Sequence, residues 1–284
     1  MRLTQLICAA ILCLAELGVA QELRVPASVT AGQETTISTT GSGKATFYLL
    51  GPGVSNKSDV TLGEEIHLRS QDVRSAGDYL AILCGDTCRS SSFYVTAAQP
   101  SGLTFLVHPS RVPAGMGEAV SGVALPFDQF HNLVLDPVTV TFQLSAGNAS
   151  LLSRAVHTQN GVAWFRTSSG KSAGKLQVVA TLGTVSATRA VQQVAADPCN
   201  LRIKGQRTPK GIVVETEPVR DCSGNPVPDG TIVTFSAAGA DGRSTVDAPI
   251  KQGVARAQIE ASGPQVISVA SGVVMGNELR VGGQ

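Results

Sequence analysis

An all-β protein built as three tandem β-sandwiches is what this sequence predicts, and three observations predict it. Two stretches about a hundred residues apart say nearly the same thing, apolar and polar residues alternate with the period of a strand, and no sustained 3.6-residue apolar period follows residue 20. Ala97-Ala98-Gln99-Pro100 leads into Leu103-Thr104-Phe105, and Ala195-Ala196-Asp197-Pro198 leads into Leu201-Arg202-Ile203, an offset of 98 residues. Downstream, Val140-Thr141-Phe142 recurs as Val233-Thr234-Phe235 and Gly161-Val162-Ala163 as Gly253-Val254-Ala255, so the offset falls to 93 and then 92. A repeat of that length is a whole domain, because solenoid units run roughly 20 to 50 residues. The drift predicts that the third copy has lost about six residues, in a loop ahead of its Gly-Val-Ala strand.

Residues 1–20 read as a signal peptide that is removed before folding. Arg2 supplies a charged start, Leu6 to Leu14 form an apolar run, and Gly18-Val19-Ala20 ends in small residues suited to cleavage after Ala20. Glu16 cuts the apolar run short of the roughly 20 residues that a membrane span needs, so no span is expected. Cys8 and Cys13 are not preceded by the Leu-small-small pattern of a lipidation site.

The rest divides into residues 21–97, 101–194 and 198–284, each near the size of an immunoglobulin-like sandwich of about 100 residues. The boundaries are the two Ala-Ala-x-Pro linkers, where proline biases its predecessor to extended geometry and gives a short, stiff connection. In the first module, Ala45 to Leu50 and Ile82 to Cys84 read as strands, and Asp78-Tyr79 resembles the tyrosine corner of immunoglobulin-like domains. In the second, every other residue of Val138-Thr139-Val140-Thr141-Phe142-Gln143-Leu144-Ser145 is apolar, the pattern of a half-buried strand. Val233 and Phe235 repeat the inward positions in the third, and the turns Asp128 to Asp136 and Asp221 to Asp229 precede the two strands.

After cleavage four cysteines remain, Cys84, Cys88, Cys199 and Cys222. An even count in an exported chain favours disulfides, with three possible connectivities. Proximity favours Cys84 with Cys88, around the turn Gly85-Asp86-Thr87, and Cys199 with Cys222 inside one repeat. The longer loop contributes roughly 3 kcal/mol in the chain-entropy model and the short one about 2. A formal net charge of +1 gives no long-range steering toward nucleic acid or an anionic membrane.

Asp221-Cys222-Ser223-Gly224-Asn225-Pro226-Val227-Pro228-Asp229-Gly230 running into Thr231-Ile232-Val233-Thr234-Phe235, followed by Gly253-Val254-Ala255 and Val266 to Ala270, resembles the bacterial Ig-like repeats of group 1, the invasin and intimin type. The resemblance covers residues 198 to 282. In the second module it is looser, with Phe130-His131-Asn132-Leu133-Val134-Leu135 in place of the Gly-Asn-Pro-Val turn. It implies an exported adhesion or scaffold module on or outside a bacterial cell.

Candidate chemistry is sparse, and no catalytic, cofactor or metal site is read. Gly170-Lys171-Ser172-Ala173-Gly174 fits the nucleophile-elbow pattern, but that motif needs a strand leading into a helix, and here it lies between two strands as a turn. Gly41-Ser42-Gly43-Lys44 is followed by Ala45 and lacks the earlier glycine of a phosphate-binding loop. His67, His108, His131 and His157 have no metal-ligand spacing. Asp128 with Asn132, or Asp221 with Asp229, offers oxygens for calcium, and local Asx turns account for the same residues. Asn56-Lys57-Ser58 and Asn148-Ala149-Ser150 match the glycosylation pattern and read as turns in a bacterial protein.

Trp164 is the single tryptophan and the one candidate ligand contact. Transferring the register of Val254 to Ile259, with Ala255, Ala257 and Ile259 inward, puts Ala163 and Phe165 inside and Trp164 outside, where the third module has Arg256. The sequence therefore predicts a non-enzymatic exported protein whose partner is a protein or carbohydrate at the envelope or outside the cell. A carbohydrate binder using Trp164 and a periplasmic assembly partner pairing through an edge strand are the alternatives. The mismatches within the repeat frame, Trp164 against Arg256 and Phe130-His131 against Cys222-Ser223, mark the first places to look for function.

Overall fold

The structure, a computed structural model, describes residues 21–240 and 242–282. The signal-peptide expectation for residues 1–20, including Cys8 and Cys13, lies outside the described residues. The architecture is all-β, three tandem immunoglobulin-like sandwiches, with one 3-10 turn at Ser70–Val73 and no α-helix among the described residues. Backbone contacts group the chain into two compact units. One runs to Gly102 and includes Pro126–Asp136, and the other holds Leu103–Leu125 and Pro137 onward.

The first unit contains one sandwich. Its small sheet orders Leu23–Arg24, Thr35–Thr39 and Glu65–Leu68, and its large sheet orders Ser28–Thr30, Cys88–Thr96, Gly77–Cys84, Lys44–Gly51 and Val54–Thr61. In Lys44–Gly51 the residues Ala45, Phe47 and Leu49 are buried and their neighbours are not, so one face goes inward. They meet Ile37, Tyr79, Leu83 and Phe93 in a common core. Each such burial contributes about 1.5 to 3 kcal/mol for a large side chain. Tyr79 is fully buried, stacks on Phe93 with ring centroids 5.3 Å apart, and donates its hydroxyl to the Ser75 carbonyl at 3.0 Å. That is the tyrosine-corner bond. It gives the buried phenol a partner and fixes the turn into Gly77–Cys84.

The second unit carries two sandwiches with separate cores. The earlier centres on Phe105, Phe142 and Phe165, with centroids 5.9 and 4.7 Å apart. Its large sheet orders Arg111–Pro113, Val185–Val194, Gly174–Leu182, Thr139–Ala146 and Ala149–His157, and its small sheet orders Ala163–Thr167, Val120–Phe127 and Gly102–His108. The later centres on Phe235, Ile212, Ile250 and Ile267. It pairs Ile203–Thr208, Gly211–Thr216 and Arg256–Ile259 in one sheet, and Gly242–Pro249, Ile232–Gly239, Gln265–Ser271 and Val274–Val281 in the other.

The six missing residues are more than loop. Arg111–Pro113 runs parallel to Val185–Val194, as Ser28–Thr30 runs parallel to Cys88–Thr96. The third sandwich passes from Ile203–Thr208 into Gly211–Thr216 as a direct hairpin, Thr208 facing Gly211, and has no such parallel strand among its described residues. Both short-range cysteine pairings are present: Cys84–Cys88 closes a hairpin end, and Cys199–Cys222 ties the linker strand Pro198–Cys199 to the loop after Arg220–Asp221.

Candidate functional site

Two five-residue loops, Asp128–Asn132 and Asp221–Asn225, are built bond for bond alike. In the first, Asp128 Oδ1 accepts the N–H of Phe130 at 2.8 Å and of Asn132 at 2.9 Å, while Oδ2 accepts the Asn132 amide at 2.8 Å and the linker N–H of Ala98 at 2.9 Å. In the second, Asp221 Oδ1 accepts from Ser223 and Asn225 at 2.9 and 2.8 Å, and Oδ2 from the Asn225 amide and Ala196 at 2.9 and 3.0 Å. Each aspartate is buried. Burial alone pushes both carboxyls up. It is outweighed by bonds from Asn132, Ala98 and Phe130 on one, and from Asn225, Ala196 and Ser223 on the other, so both lie below the ordinary aspartate value.

The asparagines reach outward from these loops to a receiving loop. Asn132 accepts the Ala76 N–H at 2.8 Å and donates to the Arg74 carbonyl at 2.7 Å, and Asn225 treats Ala173 and Lys171 the same way at 2.8 and 2.7 Å. One planar amide thus fills a donor and an acceptor two residues apart. A glycine with φ near +75° sits beside each receiver: Gly32 donates to Val73 O at 3.0 Å, and Gly115 to Gly170 O at 2.9 Å. A Cβ on Gly32 would run into the Phe130 ring, and one on Gly115 into the Ser223 hydroxyl. Phe130 therefore stands where Ser223 does and left-handed His131 where Gly224 does, a shift of one from the sequence pairing.

The receiving loops were missed by sequence reasoning, although a signal existed. Arg74-Ser75-Ala76-Gly77 and Lys171-Ser172-Ala173-Gly174 are near copies, 97 residues apart. The Gly-x-Ser-x-Gly stretch Gly170–Gly174 is thus a hydrogen-bonding receptacle between strands Ala163–Thr167 and Gly174–Leu182, as a turn assignment requires. Gln193, buried, holds it from behind by accepting the Gly170 N–H and donating to Ser172 O. Calcium does not suit the aspartates, since donors occupy their oxygens and Asp229 accepts from Gln252 and Gly253. No group of three His, Cys, Asp or Glu placed to hold a metal occurs among the described residues.

Trp164 lies on the outer face of a small sheet, 62% exposed between buried Ala163 and Phe165 and opposite Val123. Leu106, 58% exposed, is the outward residue after buried Phe105. At the same places the third sandwich has Arg256, Glu215 and Lys204, with Glu215 paired to Lys204 at 3.0 Å and to Arg256. The bonds from Lys204 and then Arg256 hold the Glu215 carboxyl below its ordinary value. Two residues along from Trp164, Arg166 donates to Glu118 O at 2.9 Å and lies 3.9 Å from its carboxylate. The same lattice carries an ion triad in one copy and an apolar strip beside an Arg–Glu pair in the other.

Most of the chain is similar in fold to two solved adhesive proteins. FdeC, an Escherichia coli adhesin, aligns with a TM-score of 0.61 at 17% identity, covering 94% of this chain and 97% of that one. Invasin, a bacterial integrin-binding protein, aligns with a TM-score of 0.53 at 11% identity, covering 94% of this chain and 60% of that one. At these identities the likeness is one of fold alone. No protein-family model and no curated protein matches the sequence.

Proposed function

We propose that the chain is an exported, non-enzymatic adhesion or extracytoplasmic scaffold protein that engages a protein ligand at the cell envelope or outside the cell. The observation that carries this reading is a fold shared along 94% of the chain with an adhesin. The two disulfides suit an oxidising compartment. Beads coated with the purified protein should bind epithelial cells or immobilised matrix proteins saturably, and soluble protein should compete. Absence of competable binding on every surface counts against adhesion, and hydrolysis lost in Ser172→Ala counts against a non-enzymatic role.

The exposed indole of Trp164 favours a second reading, in which the outer face of the second sandwich stacks on a sugar ring. Three apolar side chains are a small footprint for a protein interface, which commonly covers about 800 Å² on each partner. The adjoining Arg166 and Glu118 offer a donor and an acceptor for hydroxyl groups. Because Trp164 is the single tryptophan, its emission reports this face directly. Titration with neutral glycans should give a saturable change, and a flat response across neutral and acidic panels rejects the reading.

A further inference from the structure

We infer that the Asp-x3-Asn loop is a one-way coupling element, accepted only by a sandwich that carries the matching receiver, and that the third sandwich donates a clasp but is closed to receiving one. The inference is independent of what the molecule binds. The receiver has three parts in each of the first two sandwiches. They are a short strand parallel to the last strand, a glycine near φ +75° just after it, and a loop whose N–H and C=O meet the asparagine amide.

Among its described residues the third sandwich lacks the first two parts. The six-residue loss removes the parallel strand and its glycine, leaving the hairpin Thr208 to Gly211. The loop before its strand Gln265–Ser271 is Ala261-Ser262-Gly263-Pro264, with Gly263 in the place of Gly77 and Gly174. Two carbonyls of that loop are already taken: Arg207 donates to Ala261 O at 3.3 Å and to Gly263 O at 2.5 Å. A guanidinium from its own hairpin thus lies across the loop that an incoming asparagine would have to reach. At the opposite end of the series, the first sandwich has Thr40-Gly41-Ser42-Gly43 between Thr35–Thr39 and Lys44–Gly51, where the others have Asp-x3-Asn. The coupling therefore has a direction, with the receiver on the earlier sandwich and the donor on the later one.

The test appends a second copy of residues 195–282 to the full chain and compares it with a chain carrying an extra copy of residues 101–194 before Ala195. Spin-label distance distributions are recorded across each new connection and across the existing pair of the second and third sandwiches. The appended third sandwich should give a distribution roughly two-fold broader than the existing pair, since loosely tied domains move by default, and the inserted second sandwich one as narrow as the existing pair. Asn225→Ala should broaden the existing pair while circular dichroism shows each sandwich still folded. A narrow distribution for the appended copy overturns closure of the third sandwich. No broadening in Asn225→Ala overturns the clasp as the coupler.

Discussion

The loops Asp128–Asn132 and Asp221–Asn225 share a polar skeleton and are secured by different means. The second is stapled, because Cys222 within it is bonded to Cys199 in the linker. The first has Gln129 in that position, and beside the Ala98 bond to Asp128 its linker has a backbone bond, Ser101 N–H to Phe127 O at 2.9 Å. It gains instead an apolar plug: Phe130 packs against the core of the first sandwich, where the other loop presents Ser223 to Gly115. The difference teaches which part is interchangeable. The carboxylate and amide carry the geometry in both, while a covalent tie and a half-buried ring substitute for one another as reinforcement.

Removing the carboxylate should have the largest effect, and an unequal one. Asp128→Ala leaves four N–H groups without their acceptor, three of them backbone, and should cost the first unit about 4 kcal/mol in urea denaturation followed by circular dichroism. Asp221→Ala should cost about 1 kcal/mol less, because the bridge still confines the loop. Equal losses would show that the disulfide does not reinforce the clasp. Reduction of Cys199–Cys222 comes next, at about 3 kcal/mol for a separation of 23 residues, against about 2 for Cys84–Cys88 with 4.

Phe130→Ala should cost about 2 kcal/mol, the lower range for a ring that is only half-buried, whereas Ser223→Ala should change stability by less than about 0.5. Comparable values for both would remove the apolar plug from the account. Acid should weaken the two clasps in parallel. Both carboxyls lie below their unfolded value, so their stabilisation is complete above the unfolded aspartate pKa of about 4 and fades as pH falls through the folded values. In Asp128→Asn that acid dependence should shrink in the first unit and persist in the second. A pH titration of amide exchange distinguishes the two.

Much of this was legible because the repeat supplies its own alignment. Trp164 could be placed outward since Ala255, Ala257 and Ile259 fixed the register of an equivalent strand, and the structure buries Ala163 and Phe165 on either side of it. Tyr79 was legible for another reason, the resemblance of Asp78-Tyr79 to the tyrosine corner of immunoglobulin-like domains, and its hydroxyl does reach a backbone carbonyl a few residues upstream. Local Asx turns are half of the role of the two aspartates. Sequence spacing could not show that Oδ2 also takes the linker N–H of Ala98 or Ala196, thirty and twenty-five residues away. The parallel strand Arg111–Pro113 was hidden as well, because three residues, the last of them a proline, have no period to detect.

The order of the cysteines along the chain has a consequence for biogenesis. The two bridges neither overlap nor nest: one joins Cys84 to Cys88 and closes before the other begins at Cys199. In a chain that enters an oxidising compartment N-terminus first, the early thiols meet across a single hairpin and are consumed more than a hundred residues before the later pair emerges. Each correct bond is then also the first one sterically on offer. Exported in that way, the chain would call for an oxidant and no isomerase, because no wrong pairing would have to be undone.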